Sequence, residues 1–322
     1  MKTGEKKAMR DVFIEAIYDR MRGDDTLFFL TADFGSPKLD KIREEFPENF
    51  INVGIAEQNL INVATGLALE GFTVYAYAIA PFLTMRAYEQ IRNNLSLLSQ
   101  IKDLNVNIVG VGAGLSYDVS GPTHHCLEDI SIMRTLPNIS VFSPSDWVLA
   151  GSFVDYSIKV KKPKYLRFDS KPTPRIYESI GNDDLRKGFY ELAKGEKVCL
   201  VSTGFVTHNA LRAVQGLVED NIHVGLIDLF LLRPLDEDAF FNSLKRYDCI
   251  ITIEEAFKNR GGLDSLVSAV LESREAGARI RRMGFDDKYV FEMGGRDFLH
   301  KLYGLDQESI MRKTRESLKG SV

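Results

Sequence analysis

Short apolar runs alternate along the chain with longer segments in which apolar residues recur at helical spacing. Residues 6–22 show this spacing and predict an amphipathic helix. Residues 27–31 predict a buried strand, and residues 73–80 form an apolar run without polar alternation, as in a parallel sheet covered on both faces. The alternation predicts a doubly wound α/β sheet in the first half of the chain.

Residues 56–69 predict a helix that is apolar on nearly every side and ends at Gly71, so we expect it to be buried all round. Its small residues Ala64, Gly66 and Ala68 would let another helix approach closely, as at a subunit interface. The other elements predicted in this half are strands at 105–111, 139–143 and 165–168 and helices at 84–99 and 129–135.

A proline-bearing stretch interrupts the pattern between residues 171 and 184. We therefore predict a first domain at 1–172, a linker at 173–184 and a second domain at 185–322. Each domain should be α/β, with a mostly parallel sheet flanked by helices. The second domain's elements are strands at 198–202, 224–228, 249–254 and 280–283 and helices at 206–219, 236–245, 263–273 and from about 306.

Composition narrows the function classes. The chain has 322 residues and a net charge of −4, so it lacks the large basic field of a nucleic-acid-binding protein. Its three cysteines are far apart, which excludes a disulfide framework and fits a reducing cytoplasm. A polar N-terminus and the lack of an 18-residue apolar run give no sign of a signal peptide or a membrane span. We expect a cytoplasmic protein.

Glu57 is an acid placed at the start of an almost wholly apolar helix. Burying an ionised carboxylate is costly, so it must find a partner or take up a proton. Acids in a first helical turn are also common for the sake of the helix dipole alone. Glu57 therefore indicates chemistry only if other residues support that interpretation.

Two further clusters offer that support. Phe82, Met85 and Tyr88 share one helix face, either as core residues or as a flat wall for a planar heterocycle. The loop at 116–129 follows a parallel strand, where ligand crevices of open α/β sheets form. Its adjacent histidines do not have metal-ligand spacing, and nothing in the sequence activates Cys126 as a nucleophile. Its polar residues either hydrogen-bond a substrate or form an ordinary surface loop.

Together these clusters give the chain a specific resemblance. In order and spacing it resembles the C-terminal half of transketolases over nearly its full length. The matching segments are Gly54-Ile55-Ala56-Glu57-Gln58-Asn59, Pro81-Phe82-Leu83, Gly121-Pro122-Thr123-His124-His125, Glu128-Asp129-Ile130 with Arg134, Pro137-Asn138, Ser143-Pro144-Ser145-Asp146, Asp228-Leu229, Arg233-Pro234-Leu235 and Glu254-Glu255.

The resemblance implies a thiamine diphosphate enzyme in which Glu57 is the catalytic acid. It would hydrogen-bond a ring nitrogen of the aminopyrimidine and so activate the thiazolium carbon. The cofactor-binding residues implied with it are Phe82, which stacks on the pyrimidine, Met85, Tyr88, Ile55 and Asp33. The substrate side comprises His124, a catalytic and substrate-facing histidine, Arg167 for a substrate phosphate, Ser36, Asp118 and Ser120.

Two departures from the family qualify this picture. The chain lacks the N-terminal domain whose Gly-Asp-Gly motif holds Mg²⁺ and the diphosphate. The resemblance therefore implies an N-terminal transketolase subunit as partner, with the Mg²⁺ ligands on that subunit and two copies of each chain in an α2β2 assembly. Ser120 replaces the aspartate that usually precedes the Gly-Pro-Thr-His run, and Asp118 lies two residues earlier. The ordinary sugar-phosphate donor is therefore in question, and a different ketose is an alternative.

Four functions remain open. The leading hypothesis is a catalytic subunit for two-carbon ketol transfer between small sugar-like molecules. The β subunit of a 2-oxo acid dehydrogenase and a 1-deoxyxylulose-phosphate-synthase-like enzyme are the enzymatic alternatives. A non-catalytic partner that only regulates or supports another subunit is the fourth.

Overall fold

A computed structural model of the protein describes residues 5–319. Within that range the strands are β1 (Leu27–Thr31), β2 (Phe50–Asn52), β3 (Thr73–Ile79), β4 (Val106–Val111), β5 (Ser140–Phe142), β6 (Lys164–Phe168), β7 (Phe189–Ala193), β8 (Val198–Ser202), β9 (Gly225–Leu229), β10 (Leu231–Arg233), β11 (Cys249–Phe257) and β12 (Arg279–Phe285).

Helices lie between the strands. They are α1 (Met9–Met21), α2 (Pro37–Glu45), α3 (Glu57–Leu69), α4 (Tyr88–Gln90), α5 (Asp129–Arg134), α6 (Trp147–Ser152), α7 (Val154–Lys159), α8 (Asn182–Lys187), α9 (Val206–Glu219), α10 (Glu237–Leu244), α11 (Leu263–Glu272), α12 (Arg296–Tyr303) and α13 (Gln307–Lys319). Wider π-helical turns, Phe82–Arg86 and Ile91–Leu97, flank α4. None of the described helices is long and apolar enough to cross a membrane.

The strands of the described chain form two sheets. The first has the order β10-β5-β6-β4-β3-β1-β2, and the second has the order β12-β11-β8-β9-β7. Every pairing is parallel except β10 with β5 and β7 with β9, at the sheet edges. The predicted fold class, two mostly parallel sheets flanked by helices, is confirmed.

The second half of the sequence also contributes to the first sheet. Strand β10 pairs antiparallel with β5, so a segment that follows β9 crosses back to the other sheet. The sequence analysis did not predict this strand, because three residues are too few for a periodic signal. It also missed α2, β2, β7 and α12. The boundary at 173–184 stays a prediction.

Helix α3 is not buried all round in the single chain, contrary to expectation. Gln58, Asn59, Asn62 and Gly66 are exposed and form one stripe, while Leu60, Ile61 and Ala64 are buried. The polar residues follow one another at three- or four-residue intervals, which places them on one helix face. That face lies open to solvent or to another chain.

A buried ionic cluster joins the two sheets. The guanidinium of Arg296, at the start of α12, donates to Asp169 and to both carboxylate oxygens of Glu255. His300 Nε2 lies 2.6 Å from the same Glu255 carboxylate. Burial alone would raise the pKa of Glu255, but Arg296 and His300 outweigh it and hold that pKa well below its usual range.

A second polar junction is centred on Asp228, at the end of β9. Its carboxyl accepts from Ser145 at 2.5 Å and from Tyr177 at 2.7 Å, which belong to the first half of the chain and the linker, and from Thr207 at 3.2 Å. These three partners are neutral hydroxyls, and burial raises the pKa of Asp228 to about 7. Asp228 is therefore a hydrogen-bonding group whose proton is retained up to near-neutral pH.

Replacing Arg296 should destabilise the protein strongly. Arg296→Met leaves Glu255 and Asp169 buried without their cation, and we expect the free energy of unfolding to fall by about 3–5 kcal/mol. Denaturant titration measures the change. The control Arg20→Met removes a half-exposed pair with Asp155 and should change stability little. Equal effects of the two variants would contradict the assignment.

Stability should depend on pH through Asp228. Between about pH 4 and pH 7 the folded chain keeps the Asp228 proton while the unfolded chain loses it, so this contribution to stability is lost as pH rises through 7. Asp228→Asn does not titrate and should show a shallower decline in melting temperature over that range. Glu254, whose pKa burial also raises to about 7, is common to both proteins. The exposed-site control Asp248→Asn should keep the wild-type slope; an unchanged slope in Asp228→Asn would contradict the prediction.

Candidate active site

The predicted site residues gather at the carboxyl ends of parallel strands in the first sheet. Asp33 follows β1, Phe82 follows β3, and the loop with His124 follows β4. Glu57 begins α3, which follows β2. Because these strands run in the same direction, their following loops meet at one edge of the sheet, where ligands of open α/β folds bind.

Glu57 is buried in the first turn of α3, with 3% of its surface exposed. Its cost of burial is offset by a partner: Nη1 of Arg86 donates to Oε2 of Glu57 at 2.5 Å. The Arg86 side chain is 48% exposed. The sequence analysis missed Arg86, although its position four residues after Phe82 was a usable signal. Glu57 is thus held by a cation that itself reaches solvent.

Asn52 fixes the two loops that lead to this acid. Its Oδ1 accepts from the backbone N–H groups of Asp33 and Gly54, both at 3.0 Å, and its Nδ2 donates to Asp33 Oδ1 at 3.1 Å. Asp33 and Gly54 both have positive φ, 54° and 76°, so each loop turns sharply at this amide. Ile55, next in the chain, is 75% exposed. The sequence analysis gave Asn52 no role.

Aromatic rings form one side of the site. The ring of His124 packs edge-on against Phe82 at 5.3 Å and against Tyr117 at 6.1 Å. The Arg86 guanidinium lies 5.3 Å from the centre of the Phe82 ring. His124 Nδ1 lies 3.0 Å from the Thr123 hydroxyl. Glu57, Phe82 and His124 therefore belong to one cluster, connected through Arg86.

Met85 and Tyr88 differ in their surroundings. Met85 is 40% exposed. The Tyr88 hydroxyl donates to the Ile132 carbonyl at 3.0 Å and lies 2.7 Å from the Thr135 hydroxyl, so it ties this helical segment to α5. A cofactor contact by either residue stays a prediction.

The predicted substrate-side residues do not all face the same space. Asp118 is buried, and its carboxylate accepts from Lys171 at 2.5 Å and from the Arg296 backbone N–H at 2.6 Å. Burial raises its pKa, but Lys171 and the backbone donors outweigh this and lower it. Ser36 is also buried, capping α2 and donating to Asp11 at 3.0 Å. Ser120 is exposed, so the residue that departs from the family pattern is the accessible one.

The structure does not support Arg167 as a holder of a substrate phosphate. Its guanidinium is buried, donates from Nε to Asp129 at 2.7 Å, and reaches the carbonyls of Cys126 and Glu255 at 3.3 Å. A ligand phosphate would have to displace Asp129 in the interior of the protein. Burial also raises the pKa of the Cys126 thiol well above its ordinary value, so that thiol is a core group.

The cluster fits an aminopyrimidine and not a diphosphate. A buried carboxylate beside an aromatic ring can bind a planar heterocycle with a basic ring nitrogen. Residues 5–319 include no group of three or more histidine, cysteine, aspartate or glutamate side chains placed to hold a metal ion. Glu57 and Phe82 would hold the pyrimidine end of a thiamine cofactor, and its phosphate end would need other protein groups.

Both halves of the chain match known domains. The pyrimidine-binding domain of transketolase matches residues 5–174, and the transketolase C-terminal domain matches residues 190–310. A putative transketolase C-terminal section of Methanocaldococcus jannaschii is 35% identical over 98% of this chain and 98% of its own length. An apulose-4-phosphate transketolase subunit of Actinobacillus succinogenes is 34% identical over 94% of this chain and 96% of its own.

A solved structure agrees with these relatives. It is a split gene transketolase in an inactive β4 tetramer, with a TM-score of 0.85 and 30% identity over 97% of this chain and 98% of its own. The resemblance drawn from the sequence motifs is thereby confirmed. The matched domains include the loops that carry Glu57, Phe82 and His124, and the chain belongs to the transketolase family.

Proposed function

We propose that this chain is the subunit of a thiamine diphosphate-dependent transketolase that carries the catalytic acid and supports transfer of two-carbon ketol groups between sugar-like molecules. The observation that carries the proposal is the buried Glu57 carboxylate beside Phe82 and His124 at the strand ends. Such a carboxylate, in a family whose cofactor needs an acid at its pyrimidine, has a chemical reason to be buried.

Each residue of the cluster has a defined part in this proposal. Glu57 Oε2 shares a proton with the pyrimidine ring nitrogen, and Phe82 provides the flat surface beside that ring. His124, edge-on to Phe82, presents its Nε2 to the reacting carbonyl or hydroxyl of the substrate. When bound, thiamine diphosphate supplies the nucleophilic carbon that carries the ketol group from donor to acceptor.

We also propose a partner subunit that holds the diphosphate and Mg²⁺. The pyrimidine cluster is present here, and the described residues offer no set of acids for the metal. The relative from A. succinogenes is named as one subunit of a transketolase, and the similar solved structure is a split gene transketolase; both are the kind of chain that works with a second polypeptide. Cys126, Cys199 and Cys249 are buried free thiols, which fits the cytoplasmic location that we propose.

A groove beside α3 is the surface that we propose for pairing with a second copy of this chain. It has a volume of about 640 Å³ and lies between Thr65 and Gly66 on α3 and Leu97 and Ile101 on the following helical segment. Leu97 is 52% and Ile101 84% exposed, which is costly for large apolar side chains unless another surface covers them. Within the described chain, no heavy atom lies within 4 Å of a Cβ placed at Gly66, leaving room for a helix.

The direct test is Glu57→Gln, which keeps the side-chain shape and removes the acid. Mixed with the partner subunit, this variant should transfer ketol groups from ketose donors to aldose acceptors at least about 100-fold more slowly than wild type. The control Glu89→Gln changes an exposed acid on the nearby helical segment and should leave the rate unchanged. Full turnover by Glu57→Gln would refute the proposal, and turnover of pyruvate alone would favour the 2-oxo acid dehydrogenase alternative.

The groove has its own test. Leu97→Glu combined with Ile101→Glu places two charges in the proposed contact and should reduce the molar mass of the assembled protein in solution, measured by light scattering. Val218→Glu is the control, because Val218 is 45% exposed on α9 and lies outside the groove. An unchanged mass in the double variant would show that another surface joins the copies.

A further inference from the structure

Arg86 occupies the carboxylate that the proposed cofactor needs. Its Nη1 donates to Glu57 Oε2 at 2.5 Å, and its guanidinium lies 5.3 Å from the centre of the Phe82 ring. The proposed pyrimidine site is bounded by the same acid and the same ring. A pyrimidine nitrogen and Arg86 therefore compete for one carboxylate.

The exposure of the two side chains makes the pair exchangeable. Glu57 is 4% exposed and Arg86 is 48% exposed, so only the acid depends on the pair for compensation of its buried charge. Arg86 can turn into solvent and recover hydration when another group takes the carboxylate. In contrast, the Arg167–Asp129 pair is buried on both sides, at 1% and 0%, and neither member has water to move into.

We propose that Arg86 is a positioning residue that holds Glu57 in the cofactor-free chain and releases it to the aminopyrimidine. This inference rests on the proposed function and names the group that guards the acid before the partner subunit and cofactor arrive. The pair keeps the carboxylate oriented while the chain is alone. It also weakens cofactor binding, because each binding event must break the pair.

The test measures cofactor affinity rather than turnover. Arg86→Met keeps the side-chain length and removes the charge, and the assembled subunits should then bind thiamine diphosphate with Mg²⁺ about three- to tenfold more tightly in a calorimetric titration. Arg86→Lys restores a cation and should return the affinity toward wild type. The control Arg92→Met removes an exposed arginine from the same helical segment and should leave the affinity unchanged.

A second measurement uses the chain alone. In a double-mutant cycle of Glu57→Gln and Arg86→Met, the melting-temperature changes should be non-additive by about 2–4 °C in the free chain. The non-additivity should disappear in the assembly saturated with cofactor, because the pair is then broken. The same cycle on Arg20 and Asp155, an exposed pair far from the site, should be insensitive to cofactor.

The outcomes separate this inference from the proposed function. Weaker or unchanged cofactor binding by Arg86→Met would overturn the inference while leaving the proposed function standing, since Arg86 would then be part of the bound site or a bystander. An additive cycle in the free chain would also overturn it. If the wild-type assembly bound no thiamine diphosphate, the proposed function and the inference would fall together.

Discussion

The cost of burying carboxylates is the constraint on which this structure depends. Glu57, Asp118, Asp129, Asp169 and Glu255 are all nearly inaccessible to water, and each lies against a basic side chain. A carboxylate buried without such a partner would either take up a proton or destabilise the fold by several kcal/mol. The position of each arginine or lysine is therefore as important to the architecture as the apolar core.

The exposure of the cation separates two kinds of pair. Arg167 and Arg296 are buried together with their acids and join segments distant in sequence, so their pairs fix the arrangement of the two sheets. Arg86 is half exposed beside a buried acid, and this asymmetry is what a replaceable partner requires. The difference explains why Arg167, which the family resemblance would place on a substrate phosphate, is structural here, whereas Glu57 remains available for chemistry.

Buried polar junctions also explain the motifs of the second half of the chain. Asp228, Glu254 and Glu255 lie in segments that match the transketolase pattern, yet none of them belongs to the pyrimidine cluster. Asp228 binds hydroxyls from both halves of the chain, Glu254 accepts from the first backbone N–H groups of α11, and Glu255 binds Arg296. These residues hold the loop that carries His124 against a rigid support, so they act on the site through its geometry.

The sequence by itself determined the sheets, most of the elements and the identity of the acid. Periodicity located β1, β8 and α9 to the residue, because each is a continuous run whose apolar spacing is local information. The tertiary structure alone decided which groups meet: Arg86 with Glu57 across 29 residues, Asp118 with the Arg296 backbone across 178, and β10 with the first sheet. Hydrogen bonds and ion pairs form between residues that the fold brings together, and spacing along the chain carries no record of them. The sequence therefore identified Glu57 as an acid that needs a partner, and only the fold showed which side chain that partner is.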